Sequence, residues 1–91
     1  MAEICIHAYI SGRVQGVWYR QSAKEKAESL AIAGWVRNLE DGRVELIAAG
    51  EQLAVRQLEA WLSQGPELAN VIDVSSSIIE KPDIPQLFEV R

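Results

Sequence analysis

Residues Gly34–Gly50 read GWVRNLEDGRVELIAAG. Trp35–Asn38 is a short strand candidate, and Arg43–Ala49 is a second in which Val44, Leu46 and Ala48 alternate with their neighbours. Between them LEDG offers Asp41-Gly42, a pair that tolerates the tight backbone angles of a two-strand turn. The stretch is therefore a β-hairpin in the middle of the chain, and its flanks decide the fold.

Upstream of the hairpin, Tyr19–Ala33 has a helical period, with Tyr19, Ala23, Ala27, Leu30 and Ala31 on one face and Lys24, Glu25 and Glu28 off it. Gly34 is the expected stop, since glycine enters the left-handed conformation without strain. Further upstream, Glu3–Ser11 alternates as a strand, with Ile4, Ile6, Ala8 and Ile10 on one face and Cys5, His7 and Tyr9 on the other. Downstream, Glu51–Gln64 is amphipathic through Ala54, Leu58, Trp61 and Leu62, and Gly65-Pro66 closes it. Val71–Glu80 alternates again, Pro82 and Pro85 mark a loop, and LFEVR reads as a short last strand. The order is β-α-β-β-α-β. It predicts an α+β, ferredoxin-like sandwich: an antiparallel sheet with two helices on one face, plus a possible extra strand at the end. That fold hosts many functions and selects none.

Bulk properties narrow the classes. A chain of 91 residues is expected to be a single domain, residues 1–91, burying roughly 60–65% of the surface its unfolded form exposes. The net charge is −4 with no cluster of lysine and arginine, which argues against a nucleic-acid partner. One cysteine and one histidine exclude an intramolecular disulfide and most zinc constellations, so no metal is expected. MAEICIHAYI lacks the features of a signal peptide, and no apolar run approaches the ~20 residues of a membrane span. The expectation is a cytoplasmic monomer without membrane contact.

Between the first strand and first helix lies SGRVQGVWYR, residues 11–20. A loop at that place presents free N–H groups and the positive end of a helix dipole, both suited to an anion. Gly12 and Gly16 allow unusual backbone angles, and Arg20 in the first helical turn can add a bidentate contact. The loop has no Lys-Ser or Lys-Thr after Gly16, so it is not a Walker A loop, and it contains no cysteine nucleophile. Spacing alone equally allows a plain strand-to-helix connection with Arg20 as a solvated charge. Asn38 read alone is a residue opening the hairpin turn.

Taken together, the two stretches resemble the acylphosphatase family. Gly12, Val14, Gln15, Gly16, Val17, Tyr19 and Arg20 match one family pattern, with Tyr19 where phenylalanine is more usual. Gly34, Trp35, Val36, Arg37, Asn38, Gly42, Val44 and Gly50 match the second, and Phe88, Val90 and Arg91 match the family's ending. The resemblance implies hydrolysis of acyl phosphates to a carboxylate and inorganic phosphate, with no cofactor, no metal and no phosphoenzyme. It implies that Arg20 and the loop amides of Gln15, Gly16, Val17, Trp18 and Tyr19 bind the phosphate, and that Asn38 orients the attacking water. Inorganic phosphate would be both product and competitive ligand. Some bacterial relatives pair a cysteine with the position of Cys5; Ala49 stands where the partner would be.

Two other classes stay open at this level. One is a small binding module, which the acidic charge disfavours for RNA. The other is an accessory domain of a larger maturation protein, disfavoured because no linker follows the last strand. His7 is expected to be structural, Trp35 and Trp61 to pack in or near the core, and Glu40-Asp41 to be a hairpin tip. Arg13 and Arg37 are expected as surface charges, and Trp18 either walls the loop or covers the helix start.

Overall fold

The computed structural model describes residues 2–91. The elements are β1 (Glu3–Arg13), α1 (Tyr19–Ser29), β2 (Ala33–Asn38), β3 (Val44–Glu51), α2 (Gln52–Leu62), β4 (Asn70–Ile79) and β5 (Glu89–Val90). They form one five-stranded sheet in the order β4-β1-β3-β2-β5. Three pairings are antiparallel, as the β-α-β-β-α-β order predicts. The short final strand β5 joins β2 in parallel, so the sheet is mixed at that edge.

Strand alternation sorts the residues into two faces. Ile6, Ala8 and Ile10 from β1, Val36 from β2 and Val44, Leu46 and Ala48 from β3 share one face with the buried residues of both helices. Tyr19, Ala23 and Ala27 come from α1, and Val55, Leu58 and Leu62 from α2. Two helices therefore pack on one side of the sheet. Each fully buried Ile or Leu among these contributes about 1.5–3 kcal/mol relative to an exposed one. The opposite face carries a smaller cluster of Cys5, Ile47 and Ala49, covered by Trp35, Ile79 and Ile84. Ala49 lies directly across from Cys5 in the β1–β3 register.

The hairpin forms where expected. Leu39 N–H donates to the Arg43 carbonyl at 2.8 Å, Gly42 carries a φ of 96°, and the Asp41 carboxylate accepts from Arg43 N–H at 3.0 Å. Helix α1 ends four residues earlier than its apolar pattern predicts. Ala31, not Gly34, takes the left-handed conformation, with φ 57°. Ile32 N–H reaches the Ala27 carbonyl at 2.9 Å and Ala31 N–H the Glu28 carbonyl at 3.1 Å, the paired bonds of a Schellman ending. Gly34 lies inside β2 at φ 140°, where a Cβ would collide with the carbonyl oxygen of Ile47 on β3. Gly12 likewise belongs to β1, at a register shift where a Cβ would collide with the Asn70 carbonyl of β4. Both glycines serve strand packing. Among the described residues no helix is long and apolar enough to cross a membrane.

Candidate active site

Val14–Trp18 links β1 to α1. Val14 and Val17 are buried in the core, so the loop is fixed at two points while Gly16 between them faces outward. Gly16 has φ 74° and open space where a Cβ would stand; its glycine is demanded by the backbone angle. Trp18 has φ 66° and ψ 19°, a left-handed conformation that is uncommon for a bulky residue and costs of order 1–3 kcal/mol. Left-handed residues on either side of Val17 turn successive N–H groups into a concave array of the kind that accepts anions.

These donors are free. No backbone N–H from Gln15 to Trp18 has an acceptor among the described residues. Trp18 is the N-cap of α1 and makes no side-chain cap bond, and the first turn holds no acidic residue. The helix start is thus left with unsatisfied donors and the positive end of its dipole. Arg20 adds the only formal charge to a cavity of about 420 Å³ lined by Gly16, Trp18, Tyr19, Arg20, Gln21, Val14 and Val90.

The sequence-level candidates divide by what their side chains do. Arg20 Nη1 donates to the main-chain oxygen of Arg91 at 2.9 Å, and Arg91 N–H donates to the Val36 carbonyl of β2 at 2.8 Å. The parallel strand β5 thereby holds the guanidinium at the cavity. Gln15 turns away from it: its Nε2 donates to the Leu39 carbonyl at 2.8 Å and the Arg43 carbonyl at 2.9 Å. Val17 and Tyr19 direct their side chains into the core, leaving only their backbone for a ligand. The Tyr19 hydroxyl donates to the Leu62 carbonyl at 2.6 Å, and burial pushes its pKa above the ordinary phenol value. Here the departure from phenylalanine ties the start of α1 to the end of α2.

Asn38 ends β2, opposite Val44. It is not part of the cavity lining. Its Oδ1 is buried and has no hydrogen-bond partner among the described residues. The two Gln15 bonds seize the carbonyls that flank the hairpin just beyond Asn38, so they bring the loop and the end of β2 to the same end of the sheet. An unsatisfied buried acceptor costs about 1–3 kcal/mol, and such atoms call for a ligand or water.

A family model described as Acylphosphatase matches residues 6–90. The chain belongs to the acylphosphatase family. It is similar to the acylphosphatase of Nitrosococcus oceani, with 58% identity over 96% of this chain and 97% of that protein. Among solved structures it is similar to an acylphosphatase from Coxiella burnetii, with a TM-score of 0.92, 46% identity and coverage of 98% of this chain and 93% of that one. The acylphosphatase from Bacillus subtilis gives a TM-score of 0.91 at 30% identity, covering 97% and 98% of the two chains. This acylphosphatase-family chain is thereby an enzyme, and its structure carries the fold of its relatives.

Sequence reasoning missed three things, two of them at the site. The anchorage of Arg20 by Arg91 and the contribution of Val90 depend on β5, whose parallel pairing no local pattern signals. The side-chain role of Gln15 spans 24 residues, and only its presence in the motif pointed to it. Away from the cavity, on the outer sheet face, Glu45 is buried between His7 Nε2 and Arg37 Nε, each donating at 2.7 Å. Burial alone would raise the Glu45 pKa; the bonds from His7 and Arg37 outweigh it and hold the carboxyl below its usual range. Cys5 is buried, and burial pushes its thiol pKa up despite the nearby charge of Lys81.

Proposed function

We propose that the chain hydrolyses the carboxyl–phosphate bond of acyl phosphates by direct attack of water on phosphorus, with no metal ion and no phosphoenzyme. Arg20 and the N–H groups of Gln15, Gly16, Val17, Trp18 and Tyr19 bind the phosphoryl oxygens, and Asn38 holds the water in line with the departing carboxylate. The observation that carries this reading is the buried, unpartnered Oδ1 of Asn38, an acceptor suited to a water hydrogen at the end of the strand beside the loop.

The chemistry is within reach of these groups. A carboxylate leaves with a pKa near ~4, so at neutral pH it needs no general acid. The water oxygen forms the new bond to phosphorus, the bond to the acyl oxygen breaks with its electron pair, and a phosphoryl oxygen takes the proton. What remains is positioning and stabilisation of charge on the equatorial oxygens, which a guanidinium and preorganised N–H groups supply. The substrate is a small molecule, and inorganic phosphate is product and competitive ligand. We further take the chain to act as a cytoplasmic monomer without nucleic acid; the net charge of −4 supports the last point.

Hydrolysis of benzoyl phosphate in excess chelator tests this. The wild type should turn over, and Arg20→Gln and Asn38→Ala should each lose roughly 10²–10³-fold in kcat/KM. In ¹⁸O-water the label should appear in phosphate. Label in benzoate, or full activity in Asn38→Ala, would overturn the mechanism.

A further inference from the structure

An acyl phosphate has two ends, and the loop amides and Arg20 account for one. The cavity they face, about 420 Å³, lies in the ~300–1,000 Å³ range of pockets that hold small organic ligands, more than a phosphate of five heavy atoms requires. Its remaining lining is distinctive. Beyond Arg20 it contains no charged residue, and its walls include Trp18, Val14 and Val90. Trp18 is 74% exposed and Val90 38%, on opposite segments of the chain: the loop before α1 and the strand β5.

Trp18 has no structural duty that explains it. Its side chain caps no helix N–H, and its ring pairs with no other aromatic among the described residues, unlike Tyr19 with Trp61 or His7 with Tyr9. A large apolar ring is held in water, on a left-handed backbone, two residues before Arg20. Both burdens act against stability, the combination expected of a residue kept for a ligand.

We infer that Trp18 and Val90 form an acyl-group subsite, with Trp18 as a platform for an apolar, ring-bearing acyl group, so that the site favours aroyl phosphates over small or anionic acyl phosphates. The inference rests on the proposed binding of phosphate at Arg20. A carboxylate or second phosphate on the acyl portion would enter the cavity with Arg20 already engaged and no other cation in the lining. An aromatic acyl group instead stacks on the indole and removes its apolar surface from water.

The test uses phenylphosphonate and methylphosphonate, which share the anionic head and do not react, alongside benzoyl and acetyl phosphate. Calorimetric titration of wild type, Trp18→Ala and Trp18→Phe reads binding; kcat/KM reads turnover. The wild type should prefer phenylphosphonate, Trp18→Ala should lower the phenyl-to-methyl affinity ratio and the benzoyl-to-acetyl kcat/KM ratio by roughly 3–10-fold, and Trp18→Phe should retain most of both. A wild-type affinity ratio near one, or ratios unchanged in Trp18→Ala, would overturn the subsite. If the wild type hydrolyses neither substrate, the reaction fails as a reading and the phosphonate ratio alone decides the subsite.

Discussion

The side-chain amide of Gln15 donates to the Leu39 carbonyl at 2.8 Å across 24 residues of chain, and its second hydrogen goes to Arg43 at 2.9 Å. One side chain thus fixes the loop before α1 to the two carbonyls that frame the β2–β3 turn. Gln15→Ala leaves both carbonyls without that donor, and should cost about 1–3 kcal/mol in urea unfolding while weakening phosphate affinity. Gln15→Glu should be worse at neutral pH, because a carboxylate facing two carbonyl oxygens cannot donate. Wild-type stability in Gln15→Ala would show that the loop is fixed by Val14 and Val17 alone.

Asn38 leads to an opposite expectation for stability. Its Oδ1 is already unsatisfied, so Asn38→Ala removes a buried polar atom and breaks no bond to the protein. The variant should unfold at the same urea concentration as the wild type or up to about 1 kcal/mol more stably, while turnover falls. A loss of stability together with activity would mean that Asn38 acts as a structural turn residue.

The outer-face cluster sets an acid limit. Because the Glu45 carboxyl titrates below its unfolded value, its contribution is complete above the ordinary carboxylate range and is lost as pH falls through the lower, folded value. Urea midpoints measured from pH 7 to pH 3 should fall at the acid end. Glu45→Gln should cost about 2 kcal/mol at pH 7, since hydrogen bonds to a charged acceptor are lost at both His7 and Arg37, and should flatten the acid dependence. An unchanged slope in Glu45→Gln would assign the acid sensitivity to other carboxylates.

The end of α1 offers a gain. Ala31 sits at φ 57°, where an L side chain costs about 1–2 kcal/mol, partly offset by the greater unfolded-state freedom of glycine. Ala31→Gly should stabilise the fold by roughly 0.5–1 kcal/mol in denaturant titration without altering kcat/KM. Destabilisation would show that the Ala31 methyl contributes packing that outweighs its strain.

Much of the molecule was determined by local pattern. Alternation in Glu3–Ser11 grouped Ile6, Ala8 and Ile10 on one face, the one the helices cover, and Asp41-Gly42 placed the β2–β3 turn, because strand faces and tight turns depend on residues adjacent in sequence. Uncapped donors before Arg20 were legible for the same reason. Tertiary structure alone decided why Gly12 and Gly34 are glycines, since their constraint is the backbone of β4 and β3 pressing on them. It also turned Gln15 toward Leu39 and set Arg91 against Arg20 through a parallel strand. Each of these is a close approach between segments far apart in the chain, and a sequence period records only which side a residue faces, not what meets it there.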